Sequence, residues 1–254
     1  MSKTENSYRN SPCLPAIAAS LLIALLLASP ALPAATPLEN QIMKALGSDV
    51  RCKNMAIQIR QDKEKPGEMK SLAFKLEEVK IGEMVADHMT VMYEKPVIDL
   101  DRLNNAKKFR VLSSSRIKVG ILVSAASLER YIAARARQLR KKYNRMSIKF
   151  SPPYAECQFD VPASEISPEA LKMLDKFIKG GKLEGYAALQ FKARNNALSA
   201  ESSKVILNHF LIPDVLLKEL QTRFNPFDSV PVLSPFNYSI NGVSVQSNYL
   251  FLSN

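Results

Sequence analysis

Tryptophan is absent from this 254-residue chain, glycine occurs only eight times and histidine twice. So few glycines leave no room for a Gly-rich phosphate loop, and neither a P-loop nor a Gly-x-Ser-x-Gly elbow is present. His88 and His209 stand apart from each other and from cysteine, so no His-x-x-x-His or Cys-His spacing offers a metal site. Acidic side chains are in the minority, 24 against 35 basic ones, for a net charge of +11. A surplus of this size favours anionic partners: nucleic acid, acidic glycans or anionic lipid headgroups. The apolar fraction of 46% excludes a disordered chain. Short tandem repeats and low-complexity stretches are also lacking.

Long hydrophobic runs are missing everywhere but near the start. Residues 1–15 are polar, with Lys3 and Arg9 against Glu5. An apolar run from Ala16 to Ala28 follows, as long as a signal h-region and too short for an ordinary transmembrane span. Pro30 and Pro33 then break any helix, and small residues allow cleavage after Ala31 or Ala34. The expectation is a signal peptide over residues 1–34 and one domain over 36–254. The alternative is an uncleaved N-terminal anchor. Export decides among the anionic partners: a protein outside the cytoplasm, periplasmic or otherwise, meets membrane and rarely nucleic acid. Removing the signal leaves roughly 220 residues, enough for one domain with a proper core.

Cysteine is scarce too. Cys13 precedes the apolar run, which leaves Cys52 and Cys157. In an oxidising compartment they either pair or remain two buried thiols. A bond would close a loop of about 105 residues, worth roughly 4–5 kcal/mol by chain entropy. Both lie in strand-like segments, so pairing requires those strands to be neighbours.

What is present is mostly period-two patterning. A first helix is signalled by Thr36-Pro37-Leu38-Glu39, a capping box with proline in the first turn, and ends at Gly47. Strands are then expected where Met55, Ile57 and Ile59 alternate with polar residues, and likewise Leu72, Phe74 and Leu76, and Met89, Val91 and Tyr93, with a turn at Lys65-Pro66-Gly67. Arg116–Val123 reads as another strand. The one long helix spans about Ser124 to Tyr143, capped by Ser124 or Ser127, with Leu128, Ile132, Ala136, Leu139 and Tyr143 as its apolar stripe. Met146–Val161 returns to strand, broken at Pro152-Pro153, and a shorter helix is expected from Ser167 to Lys179. Leu183–Ala193 and Ala197–Leu207 read as paired strands around Arg194, Asn195 and Asn196. A helix from Asp214 to Phe224 and strands at Tyr238–Val245 and Tyr249–Leu252 complete the chain. Strands and helices do not alternate regularly, which argues against a doubly wound parallel sheet. The pattern predicts an α+β fold with a long curved antiparallel sheet wrapped around helices.

The C-terminal residues carry a family resemblance. Phe210-Leu211-Ile212-Pro213, Phe224-Asn225-Pro226-Phe227-Asp228, Val230-Pro231 and Tyr238-Ser239-Ile240-Asn241-Gly242-Val243 together resemble the end of the LmeA-like family of bacterial phospholipid-binding proteins. Upstream, Ile98-Asp99-Leu100-Asp101 and the step from Val119-Gly120 to Leu128 resemble that family's strand end and strand-to-helix step. The likeness spans roughly 40–252. It implies a tubular lipid-binding architecture (TULIP-like), in which a curled sheet encloses helices and an apolar groove for acyl chains, with no cofactor. This chain departs from the pattern in its helical segment at Ser167–Lys179 and in the basic character of its long helix.

Under that resemblance the groove walls are Leu72, Phe74, Leu76, Ile117, Val119, Ile121, Leu128, Ile132, Leu189, Phe191, Ile206 and Phe210, although each also suits a plain core. The long helix carries Arg130, Arg135, Arg137, Arg140, Lys141, Lys142 and Arg145 against Glu129. These are the candidates for contact with phosphate headgroups or an anionic membrane surface, where each close cation contributes about 1 kcal/mol. The plain alternative is a solvated face with cations near a helix C-terminus. Asp99 and Asp101 form a conceivable carboxylate pair for a hydrolase, but acids at a strand end entering a turn are the simpler account. The residues argue for binding over catalysis, with a non-enzymatic structural or adaptor protein of the envelope as the alternative.

Overall fold

The first helix forms where its capping box begins. Helix α1 (Pro37–Leu46) starts at the N-cap Thr36, whose hydroxyl accepts a hydrogen bond from the Glu39 amide at 3.3 Å, while Glu39 Oε2 accepts from the Thr36 amide at 2.7 Å. Ile42 and Leu46 are buried and Leu38 half-buried, as their four-residue spacing requires. The computed structural model describes residues 36–47, 49–62, 64, 68–138, 145–165, 172, 181–194, 196–214, 230–231, 236 and 238–254, all within one unit, Ala35–Asn254. The signal segment, the turn at Lys65-Pro66-Gly67, the helices expected at Ser167–Lys179 and Asp214–Phe224 (save their residues Lys172 and Asp214) and the stretch Phe224–Asp228 lie outside the described residues.

The fold is α+β and mainly antiparallel. Strands β1 (Asn54–Gln61), β2 (Met69–Ile81), β3 (Met84–Glu94) and β6 (Arg116–Ser124) pair in that order. They are completed by β14 (Tyr249–Ser253) and β13 (Gly242–Val245) from the end of the chain. A second sheet runs β11 (Phe210–Leu211), β10 (Ala197–Leu207), β9 (Lys182–Arg194), β8 (Tyr154–Pro162), β7 (Arg145–Ser151), with β12 (Val230–Pro231) also on β10. A two-stranded ribbon, β4 (Val97–Ile98) and β5 (Val111–Ser113), flanks helix α2 (Leu100–Ala106). The expected antiparallel character is present, but the ladder divides in two. Strand β6 runs straight into helix α3 (Ala125–Gln138), which ends the first ladder, and β7 opens a new one. Helix α3 packs on β3 and β6 of one sheet and on β7 of the other.

In β2 and β3 the alternation changes phase, in a place the sequence pattern did not assign. Along β2 the buried side chains are Leu72, Phe74 and Leu76, then Val79 and Ile81; along β3 they are Met84 and Ala86, then Met89, Val91 and Tyr93. Both strands change phase at the same level, where Glu78 takes a left-handed φ of 46°. A residue in that region breaks the pleat and turns the following side chains to the other face. The hairpin end thereby joins the same apolar core.

Phe74 is the hub of that core. It is fully buried, with ring centroids 5.0 Å from Phe236, 5.4 Å from Phe109 and 6.2 Å from Tyr93. Each such pair adds about 0.5–1.5 kcal/mol beyond the area buried. Burial pushes the Tyr93 phenol up to about 12, with Tyr238 adding to the shift.

Candidate functional site

Two helices are tied to the outer strands by carboxylates. Glu39 Oε1 accepts from the Ile59 amide of β1 at 2.8 Å, and Glu129 Oε1 accepts from the Ile148 amide of β7 at 2.6 Å. β1 and β7 are edge strands of the two large sheets, so each glutamate occupies an edge amide that another chain would otherwise pair with. Burial pushes the Glu39 carboxyl up, but the amides of Thr36 and Ile59 and the Thr36 hydroxyl outweigh it and hold the group below the usual carboxylate range. The start of α3 is held similarly. Asp87 accepts from the Ser124 amide at 2.6 Å and from its hydroxyl at 2.9 Å, while Ser124 Oγ accepts from the Ser127 amide at 3.2 Å. Ser124 is therefore the cap.

Most of the expected groove residues lie together, but packed against one another. Leu72, Phe74, Leu76, Val119, Ile121, Leu128 and Ile132 are at most 1% exposed, and with Leu189 and Phe191 they belong to one apolar cluster on which Ile117 also packs. A side chain without accessible surface borders no water-sized void, so at the hub the space is filled by side chains. Ile206 is half-buried. Phe210, at 47% exposure, sits on the outermost strand β11 opposite Leu207.

Among the described residues, one opening lies where the two sheets meet. Strand β13 passes beside β9. Between them and the β7–β8 turn is a cleft of about 460 Å³ lined by Pro152, Pro153, Gln190, Phe191, Val243, Ser244 and Val245. Pro152, Pro153 and Gln190 are exposed and Phe191 and Val245 are buried, so it is a groove open to solvent on one side. Phe191 is the one lining residue expected from the sequence. The others were missed because nothing local announces that residues 152, 190 and 244 are neighbours. The Pro152-Pro153 break was legible only as a turn.

The strand pair β9–β10 turns at Asn196, whose φ is 59°. Its side chain donates to the Tyr238 carbonyl at 3.1 Å and accepts from the Ile240 amide at 2.6 Å, holding the last segment ahead of β13. Ile240 is fully buried. The Tyr238–Val243 motif is thereby fastened to the tip of the second sheet and continues into the first.

The basic residues of α3 are dispersed. Arg130 donates to Ser127 Oγ at 2.9 Å, Arg137 to the Ala133 carbonyl at 3.3 Å, and Arg135 lies 3.9 Å from Glu83 at the β2–β3 tip. Arg145 is exposed at the start of β7. The cleft begins past the other end of that strand, about 20 Å away at the rise of an extended strand. Arg140, Lys141 and Lys142 lie outside the described residues.

Cys52 and Cys157 are both free. The pairing alternative required neighbouring strands. Cys52 lies in the loop before β1 instead of in a strand, and Cys157 is on β8 of the other sheet. Burial, with Glu129 nearby, pushes the Cys157 thiol up to about 12, and burial also raises Cys52. Asp99 caps α2 by accepting from the Arg102 amide at 2.9 Å, while Asp101 is exposed in its first turn. His88 and His209 are exposed. Among the described residues no three His, Cys, Asp or Glu side chains converge as a metal site, and no helix is long and apolar enough to cross a membrane. Comparison of the chain with family models, with curated proteins and with solved structures gives no match.

Proposed function

We propose that this is an exported, non-enzymatic envelope protein that binds the acyl chain of a phospholipid or related lipid in the cleft where its two sheets meet. The observation that carries the reading is the cleft itself: about 460 Å³, walled mainly by Pro152, Pro153, Phe191, Val243 and Val245, with Gln190 and Ser244 as its polar members. The signal-like N-terminus, the net charge of +11 and the resemblance to LmeA-like proteins support it. On this reading the two sheets are the walls of a tubular lipid-binding fold, and the acyl chain runs along their junction because the hub around Phe74 is already filled. Each methylene buried there contributes ~0.8 kcal/mol before the cost of immobilising the chain. Gln190 and Ser244 serve the glycerol ester end.

The test is uptake of a fluorescent fatty acid and mass spectrometry of lipid that purifies with the protein. Ser244→Phe fills the cleft from a half-buried position and is expected to abolish uptake while the fold persists. Uptake undiminished in this variant, or lipid-free protein that takes up nothing, overturns the reading. The second reading, a structural or adaptor protein of the envelope, is favoured by the side-chain-filled hub. It expects no uptake in either form.

A further inference from the structure

Residues 96–113 form a small unit whose two sides differ in chemistry. The inner side is anchored: Ile98 and Leu103 are buried, and Phe109 lies edge-on to Phe74. The outer side presents apolar groups to water. Val97, Leu100 and Leu112 are 51%, 49% and 55% exposed. All three belong to this one short unit: Val97 opposes Ser113 and Ile98 opposes Val111, so Leu112 is the extra residue of a bulge in the strand paired with Val97. Leu100 follows at once, at the start of α2.

The surroundings are cationic. Lys107, Lys108 and Arg110 are exposed on the return from α2 to β5, and Lys95 and Arg102 are exposed beside β4 and in α2. Lys107 closes the helix with a left-handed φ of 53° and donates to the Asn104 carbonyl at 2.6 Å. Of the two acids, Asp99 is engaged as the α2 cap and Asp101 is exposed. The Asp99 amide donates to the Arg110 carbonyl at 3.0 Å, which closes the unit upon itself.

We propose that this face docks the protein on an anionic lipid bilayer. Val97, Leu100 and Leu112 enter the headgroup boundary, and the surrounding lysines and arginines meet lipid phosphates. Exposed apolar side chains on the same short unit as exposed cations are the combination that binds such a surface, by apolar burial together with attraction to anionic lipid. The face is separate from the cleft, so docking and acyl-chain uptake can fail independently.

Because the chain has no tryptophan, a single one reports without background. In full-length protein, Leu112→Trp is mixed with vesicles of phosphatidylcholine and phosphatidylglycerol, with or without brominated acyl chains. The expected result is a blue-shifted emission quenched by bromine, absent with pure phosphatidylcholine, and absent for Ala133→Trp on the exposed side of α3. Leu100→Trp is expected to repeat it, which covers any misfolding at position 112. The combined Lys107→Glu, Lys108→Glu and Arg110→Glu change in the Leu112→Trp background is expected to weaken the response about a hundredfold, at roughly fivefold per cation. A silent tryptophan at both 100 and 112, an equal response to neutral vesicles, or a response at 133 instead overturns the proposal. Binding of an acidic protein from the host by the same face with no response to vesicles also overturns it.

Discussion

Replacing Glu39 by alanine removes the acceptor of two amides at once. The Thr36 amide lies 2.7 Å from Oε2 and the Ile59 amide 2.8 Å from Oε1, and the residue is only 7% exposed. A hydrogen bond to a charged acceptor contributes about 1.5–3 kcal/mol, and half of a capping box contributes about 0.5–1 kcal/mol. The loss expected for Glu39→Ala is therefore about 2–4 kcal/mol, a fall in Tm of about 5–15 °C for a domain of this size. Urea unfolding followed by far-ultraviolet circular dichroism measures it. The pH dependence gives an independent check. The folded carboxyl is held below its ordinary value, so its contribution is present above the unfolded pKa and is lost as pH falls through the folded one. Between pH 6 and acid, the parent is expected to lose more stability than Glu39→Ala; Glu39→Gln, which does not titrate either, is expected to share the flatter acid dependence of Glu39→Ala. A variant within about 0.5 kcal/mol of the parent, with the same acid dependence, would show that the carboxylate does not hold α1 to the edge of the sheet.

Phe74→Ala empties the aromatic hub and is expected to cost about 3–5 kcal/mol in the same urea experiment. Gly185 lies directly beneath the Phe159 ring, opposite it in the β8–β9 ladder, where an added Cβ would stand 2.1 Å from ring carbon Cζ. Gly185→Ala must displace that ring and is expected to cost about 1–3 kcal/mol, whereas Phe159→Ala with Gly185→Ala recovers part of the loss. Cys157, pushed up to about 12, is expected to be inert to a thiol reagent at pH 8 in folded protein and to react fully in denaturant. Asn196→Gly keeps the left-handed φ but loses both bonds to the last segment, so hydrogen exchange is expected to accelerate at Ile240 and along β13 while β2 is unchanged.

Local chemistry was readable wherever neighbours in sequence are neighbours in space. The capping box of α1, the Ser124 cap of α3, and the alternation of Leu72-Phe74-Leu76 and of Met89-Val91-Tyr93 depend on contacts within a few residues, and the antiparallel α+β class follows from them. The phase change at Glu78 did not announce itself, because a left-handed φ at a glutamate is imposed by packing the hairpin end into the core. Nor did the clamps from Glu39 and Glu129 to edge amides 20 and 19 residues away. Tertiary structure alone decided that Cys52 and Cys157 lie apart. It also filled the space around Phe74 and opened a cleft between Pro152, Phe191 and Val243. Alternation tells which face of a strand turns inward. Whether that face meets a side chain or an opening depends on how two separate sheets lean together, and that is set by long-range packing that no single stretch of sequence carries.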